Sequence, residues 1–147
     1  MLHYPTNMKH IAEYLPILKI NVKNLNGRTY SQQNVDDIIS RFNEKFTSQG
    51  IFFGELGHPE NGDMDVNLRN VTHSTRELKQ EGDVLYGRIV LLETDKARDS
   101  AVLEMLPNLV LRPRGVANVS ETGQIENYRI CAFDLIQKET DAFAGLI

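Results

Sequence analysis

The sequence predicts an α+β domain, built as a small, mostly antiparallel β-barrel with two packed helices. Its 147 residues suffice for one domain, and a chain of this length buries about two-thirds of its unfolded surface. Hydrophobic residues make up 41% and charged residues 24%, which is typical of a globular protein. The predicted strands do not alternate regularly with helices, and this order favours an antiparallel barrel over a doubly wound parallel sheet. We expect a single domain over residues 1–147, with loosely held ends at residues 1–13 and 137–147.

The first strand and the first helix have recognisable boundaries. Residues 14–22 (YLPILKINV) are apolar and β-branched and predict a strand, which ends in a turn at residues 24–27 (NLNG). Ser31 is placed to cap a helix that Gly50 ends. This helix has apolar residues at steps of three and four on one face and two acidic residues near its N-terminus: Val35, Ile38, Ile39, Phe42, Phe46, Asp36 and Asp37.

The remainder of the chain predicts a second helix among five further strands. Thr94 is placed to cap a helix over residues 95–106, which Pro107 ends. Residues 60–65 are polar and contain glycine, so they predict a loop. The strands are predicted at residues 51–53, 66–78, 84–92, 109–119 and 128–136, with a turn at residues 121–123 between the last two.

Charge and composition argue against several classes of function. The chain has 16 Lys and Arg against 20 Asp and Glu, a net charge of −4, so we expect no direct nucleic-acid binding, which needs a surplus of cations. A single cysteine, Cys131, excludes an internal disulfide framework, and we expect it to be a small core residue. No apolar run approaches the roughly 20 residues of a membrane span, and the N-terminus lacks the apolar core of a signal peptide. We therefore expect no membrane partner.

The most specific short motif is Gly-Glu-Leu-Gly-His-Pro at residues 54–59. Two glycines and a proline around His58, directly after a strand, present a side chain on a fixed turn. One interpretation is catalytic; the alternative is a capping turn whose imidazole bonds to the backbone. A metal site would use Glu55, His58, Asp63 and Asp65, but their spacing matches no standard site. We therefore predict no metal and no cofactor.

His73 is the other internal histidine, between Thr72 and Ser74. Neighbouring residues of a strand point to opposite faces, so neither hydroxyl is expected to partner the His73 ring as a nucleophile. A polar position on a strand is the favoured interpretation.

Two arginines and one aspartate interrupt the last two predicted strands. Pro113 removes a ladder donor, so residues around it are expected at an edge, a bulge or a strand end. Arg112 and Arg114 either bind an oxyanion or a partner's carboxylate, or form a solvated strand end. Asp134 lies in an apolar run, where a buried carboxylate needs a partner. It is expected to pair with an arginine or to orient a histidine.

Several of these segments, taken together, resemble the prohead core proteases, the capsid-maturation proteases of large contractile-tailed bacteriophages. Residues 24–30 (NLNGRTY) are similar to the family's Asn-x-Asn-Gly-Arg-x-Tyr element, and residues 54–59 to its Gly-Glu-Leu-x-His-Pro element. Residues 66–92 are similar to its next block, in which a Gly-Asp turn leads into a Tyr-Gly-Arg strand. Residues 104–119 and 130–136 fall where the family has its nucleophile strand and an aspartate-bearing strand. The resemblance spans residues 17–136 and rests on three elements in order.

The resemblance implies a β-barrel related to herpesvirus assemblin and a serine protease that acts on scaffold and capsid proteins inside the immature capsid. His58 matches the family's catalytic histidine, and Asp134 falls near an aspartate that would be the third member. The nucleophile does not carry over, because the family's Ser-Ser-Arg-Gly is Arg-Pro-Arg-Gly at residues 112–115. Neither Arg nor Pro can attack a carbonyl. Ser120 lies about six residues, or roughly 20 Å, further along the strand, which is too far for it to replace the missing serine.

Three functions follow as hypotheses. The first is a catalytically inactive relative of the protease, acting as a structural or capsid-associated virion component (a decoration, minor head or neck protein) or as a protease regulator. The second is an active maturation protease with a displaced nucleophile, and the third is a tube or connector subunit. We expect capsid or other virion proteins as partners, a homo-oligomer as a further possibility because exposed strand edges can assemble, and a location in the phage head.

Overall fold

The computed structural model describes residues 8–147 of the chain, so the expectation of a loose end at residues 1–7 lies outside the described part. Within residues 8–147, no helix has the length and hydropathy needed to span a membrane. The strands are β1 (Lys9–His10), β2 (Leu15–Lys19), β3 (Phe53–Glu55), β4 (Val71–Glu81), β5 (Val84–Leu91), β6 (Leu109–Val119) and β7 (Ile125–Gln137). The helices are α1 (Gln32–Gln49), α2 (Asp95–Asp99) and α3 (Val102–Met105), with 3₁₀ turns at Leu68–Asn70, Leu106–Asn108 and Lys138–Thr140.

The strands form two antiparallel sheets, which confirms the α+β class and the antiparallel pairing. In the five-stranded sheet β3 pairs with β4 and β4 with β5, while β1 and β2 both pair with the other edge of β5. The second sheet is the β6–β7 hairpin, which turns at Glu121 and Thr122. Within residues 8–147, no ladder joins the two sheets, and the isolated bridge between Leu56 and Leu135 links the chain after β3 to β7.

The two sheets do not close into a barrel, so that part of the prediction is wrong. Closure would require a ladder at both seams between the sheets, β2 with β6 and β3 with β7, and both pairs of strands pack side by side without a ladder. At the first seam, β2 and β6 are joined through a side chain. The Arg112 guanidinium instead donates to the backbone carbonyls of Pro16 (2.6 Å) and Ile17 (3.2 Å) on β2. Pro113, the next residue of β6, has no backbone N–H to donate. A side chain therefore occupies acceptors that a closed ladder would use.

Helix α1 begins and ends as predicted. The Ser31 hydroxyl accepts from the backbone of Asn34, whose side chain accepts from the backbone of Ser31, and Gly50 ends the helix at φ 72°. Its apolar face packs on the hairpin, where the ring centroids of Phe42 and Phe133 lie 6.3 Å apart. The first turn holds no acidic residue, so the two predicted aspartates lie beyond the strongest part of the helix dipole.

The predicted second helix is broken into two short ones. Thr94 caps α2 as predicted, accepting from the backbone of Ala97 at 3.1 Å. Ala101 then adopts a left-handed conformation, φ 52°, which ends the helical run and turns the chain so that Val102 is buried. The sequence predicts one uninterrupted helix over residues 95–106 and gives no sign of this break.

Two strand boundaries differ from the prediction in ways that affect the site, and the C-terminal segment contributes two buried residues. Strand β3 runs on to include Glu55, and β4 starts at Val71 after a 3₁₀ turn. In the C-terminal segment, Asp141 is buried in an ion pair and Phe143 is only 2% exposed. The chain therefore packs its C-terminal residues against the body of the fold.

Candidate active site

A turn fixed to the β6–β7 hairpin presents His58. Gly57 has φ 81°, and its backbone N–H donates to the carbonyl of Leu135 at 2.7 Å. Gly54, earlier in the same motif, has no space for a side chain, because a Cβ there would overlap the carbonyl oxygen of Phe133 and the ring of His73. The two glycines thus allow the turn to lie directly against β7, beside Asp134.

The structure brings His58 and Asp134 together. The His58 Nδ1 lies 2.7 Å from the Asp134 Oδ2, with the histidine side chain 39% exposed and the aspartate 0% exposed. A carboxylate bound at Nδ1 fixes the ring and leaves Nε2 as the nitrogen able to accept a proton. His58 is therefore not the backbone-bonded capping residue of the alternative interpretation.

Arg114 holds Asp134 from the other side. The Arg114 Nε donates to Asp134 Oδ2 at 2.7 Å and its Nη2 to Oδ1 at 3.2 Å. The same Nη2 donates to Glu55 Oε2 at 2.8 Å, and the backbone N–H of Glu55 donates to Asp134 Oδ1 at 3.0 Å. Burial disfavours the Arg114 charge, but the neighbouring Asp134 and Glu55 carboxylates outweigh it and raise the pKa of Arg114. One cation thus balances two buried carboxylates.

The same arginine and Glu55 also fix the loop that follows His58. The Arg114 Nη1 donates to the backbone carbonyl of Asp63 at 2.8 Å. Glu55 accepts from the backbone N–H of Asn67 (3.0 Å) and from the side-chain amide of Asn70 (3.1 Å). Glu55, His58, Asp63 and Asp65 do not form a metal site: among residues 8–147, no group of three or more His, Cys, Asp or Glu side chains could hold a metal ion.

Arg112 belongs to a separate ion pair. Its Nε and Nη2 donate to the two carboxylate oxygens of Asp141 at 2.6 and 2.7 Å. Arg112 and Arg114 are 4% and 5% exposed, so the expectation of a solvated strand end is wrong. Every guanidinium nitrogen of both residues donates to an acceptor of this chain, including the carboxylates of Asp141, Asp134 and Glu55. Binding of an external oxyanion or a partner's carboxylate by these arginines stays a prediction.

His58 opens onto a cleft of about 480 Å³ that residues 112–115 also line. Pro113 lines this cleft, on the strand that pairs with the Asp134 strand. Ser120 does not line it; its hydroxyl binds the backbone N–H of Gln124 in the hairpin turn. Thr140 lines it, with its hydroxyl donated to the carbonyl of Gln137 at 3.0 Å.

His73 is buried beneath this site and is not part of the cleft. Its Nε2 donates to the carbonyl of Phe133 at 2.7 Å, and its Nδ1 accepts from the Thr72 hydroxyl at 2.8 Å. The expectation that Thr72 points away from His73 is wrong. Residues 71–75 are buried on both faces of the strand, so the hydroxyl has no solvent to turn to. Burial lowers the pKa of His73, against the opposing effects of the Phe133 carbonyl and Asp134.

Sequence reasoning missed three features of the site. Glu55 was considered only as a metal ligand, although it partners Arg114. Gly115 had no assigned role, yet a Cβ there would lie 2.6 Å from the Tyr128 ring. Asp141 had no detectable signal in the sequence. Cys131, expected in the core, is only half-buried, and its thiol donates to the backbone carbonyl of Met64.

The fold is similar to that of a solved structure, the capsid assembly protease gp21 of bacteriophage T4. The two share 16% sequence identity, with a TM-score of 0.65, over 88% of this chain and 95% of the T4 chain. No protein-family model and no curated protein sequence matches this chain. A likeness at this identity shows the fold: an antiparallel α+β fold of the phage capsid protease type.

Proposed function

We propose that this chain is a capsid-associated protein of a tailed bacteriophage that keeps a protease fold without the covalent step of proteolysis. The observation that carries the proposal is the likeness in fold to the T4 capsid assembly protease over 95% of that protein. In this role it is a structural component of the head or neck, or a regulator of an active protease, and its partners are capsid or other virion proteins.

The proposed loss of activity rests on the cleft. His58 and Asp134 form a pair able to act as a general base, but a base needs a hydroxyl or thiol to activate. Where the resemblance places two serines, the chain has Arg112 and Pro113. The Arg112 side chain is bound to Asp141, and proline has no nucleophilic atom. His58 and Asp134 are then vestigial members of a triad.

The role in the particle is tested by an inventory of phage particles. Quantitative mass spectrometry of purified mature virions and of proheads would measure the copy number of the chain relative to the major capsid protein. The proposal expects the uncleaved chain in mature virions at fixed stoichiometry, and cryo-EM would locate it. Its presence in proheads alone would contradict a structural role and would favour a regulator of the protease.

The absence of activity is tested separately with a serine-directed fluorophosphonate probe and with capsid and scaffold proteins as substrates. Wild-type protein and the His58→Ala variant are both expected to remain unlabelled and to release no fragments, with an active serine protease as the positive control. Loss of a triad nucleophile lowers the rate by about 10⁴-fold or more. Labelling or cleavage that His58→Ala abolishes would overturn the proposal.

A second candidate function, an active protease with a displaced nucleophile, is favoured by Thr140. This residue provides an aliphatic hydroxyl in the cleft that His58 faces. Its hydroxyl is donated to a backbone carbonyl rather than to the imidazole. If activity is found, the Thr140→Val variant tests whether Thr140 is the nucleophile. Loss of activity would assign that role to Thr140, and retained activity would exclude it.

A further inference from the structure

The C-terminal segment, residues 138–147, lies along the cleft and is here called the strap. Thr140, Ala142 and Phe143 of the strap line the cleft together with His58 and Pro113. The strap leaves the end of β7 beside the His58 turn and reaches the Asn24–Arg28 loop, where the backbone N–H of Leu25 donates to the carbonyl of Ala142 at 2.8 Å. It therefore supplies one wall of the cleft.

The ion pair between Arg112 and Asp141 anchors the strap. Both carboxylate oxygens of Asp141 bind the guanidinium, and the two side chains are 4% and 6% exposed. The Asp141 Oδ1 also accepts from the backbone N–H of Phe143 at 2.9 Å. Burial acts against the Asp141 charge, but the bonds from Arg112 and Phe143 outweigh it and lower the pKa of Asp141.

Apart from this anchor, the strap is held by Phe143 in the hydrophobic core, by Ala142 and Leu146 packed against that core, and by the backbone bond from Leu25. Phe143 packs its ring 6.2 Å from the Tyr30 ring, and the Arg112 guanidinium lies 5.5 Å from the Phe143 centroid. Among the described residues, the strap joins neither sheet, and its other backbone hydrogen bonds close its own turns, such as the bond from Leu146 to Phe143. A segment with few backbone bonds to the rest of the fold can open without global unfolding.

We propose that the strap is a releasable closure of the His58 cleft and that the Arg112–Asp141 ion pair is its latch. Arg112, at the position where the resemblance places the first serine, thus binds the chain's own C-terminal segment. The inference goes beyond the proposed function, because it concerns access to the cleft and holds whether or not the cleft is catalytic. Opening the latch exposes the Phe143 site and the side of the cleft that carries His58.

The test is hydrogen exchange of the full chain, read by mass spectrometry for peptides covering the strap and α1. Asp141→Asn removes the latch charge, and Glu139→Gln is the matched control, since Glu139 is an exposed carboxylate of the same segment. We expect strap exchange to accelerate about tenfold or more in Asp141→Asn, because the substitution removes the charge that the two guanidinium hydrogen bonds hold. The control and the α1 peptides are expected to match wild type.

Access to the cleft is measured in the same variants by carbethoxylation of His58 with diethyl pyrocarbonate, mapped by mass spectrometry. Faster modification of His58 in Asp141→Asn supports the proposal. Unchanged strap exchange, unchanged His58 modification, or equal acceleration in α1 and the strap would each overturn it. If Asp141→Asn does not fold, Phe143→Leu replaces it, because this variant keeps both buried charges and removes the ring contacts. Faster strap exchange and faster His58 modification are expected for this variant as well, and their absence would overturn the proposal. None of these measurements depends on capsid association or protease activity.

Discussion

Arg112 and Arg114 lie two positions apart on β6 and are almost equally buried, yet they stabilise different kinds of structure. Arg114 binds Glu55 on β3 and Asp134 on β7, one strand from each sheet, and also fixes the loop after His58. Arg112 joins Asp141, which belongs to the strap outside both sheets. Burial alone therefore does not measure what a charge contributes. The cost of losing an arginine depends on whether its carboxylate can reach water when left alone.

The largest expected effect is a difference between two matched substitutions. Arg114→Met leaves Glu55 and Asp134 without a cation in a rigid site, and we expect a loss of about 3–5 kcal/mol in the free energy of unfolding. Arg112→Met leaves Asp141, which can move to solvent with the strap, and we expect about 1–3 kcal/mol. Urea denaturation of both variants makes the comparison. Equal losses would show that the strap is as rigid as the strands.

The exposed pair of Arg88 and Glu77, 2.8 Å apart, provides the control for the charge change itself. Arg88→Met is expected to cost less than about 1 kcal/mol, as for other surface ion pairs. A larger cost would show that removing any arginine destabilises this acidic chain.

Replacing one of the two carboxylates that bind Arg114 tests how much each contributes to the stability of the site. Glu55→Gln keeps the shape of the side chain but weakens its bonds with Arg114 and with the Asn67 backbone. We expect a loss of about 1–3 kcal/mol in urea denaturation, and increased hydrogen exchange in the loop of residues 59–67. Glu77→Gln on the surface is the control. No effect would mean that Asp134 alone satisfies Arg114.

His73, which is buried beneath the Arg114 site, is expected to make the free energy of unfolding depend on pH. Burial lowers its pKa in the folded state, so the unfolded chain takes up a proton first as the pH falls below about 6.5. Between pH 7.5 and 5.5, wild type is therefore expected to lose about 1 kcal/mol more stability than His73→Gln. Urea denaturation at both pH values measures this. Equal losses would exclude His73 as the source.

The smallest expected effect is that of His58→Ala. Asp134 keeps its bonds with Arg114 and the Glu55 backbone, and the His58 side chain is partly exposed, so the free energy of unfolding should fall by less than about 1 kcal/mol. Thermal denaturation suffices as a measurement. A loss of several kcal/mol would make His58 a structural member of the Arg114 group rather than a functional residue presented by it.

The parts of the site that could be predicted follow from rules that act locally. A carboxylate in an apolar run needs a partner, and Asp134 has both predicted kinds, an arginine and a histidine. Which arginine binds it could not be predicted. Arg112 stands opposite Asp134 in the β6–β7 register, but Arg114 binds it. The choice depends on Asp141, which reaches Arg112 only after the strap has turned back on the fold.

The same distinction applies to the fold. Helix α1 was predictable because its cap, apolar face and terminal glycine all lie within its own sequence. The open barrel could not be predicted, because it depends on whether a distant side chain, that of Arg112, donates to the carbonyls of Pro16 and Ile17. The break at Ala101 could not be predicted either, because alanine favours helix and nothing in its own sequence signals the left-handed conformation that it adopts.

The pairing of His58 with Asp134 joins residues 76 positions apart, and this has a consequence during synthesis. When the His58 turn leaves the ribosome, the strand to which it is fixed has not yet been made. The turn must wait for the β6–β7 hairpin, and contacts of such long range form slowly. A chain that stops before Asp134 therefore lacks the His58–Asp134 pair.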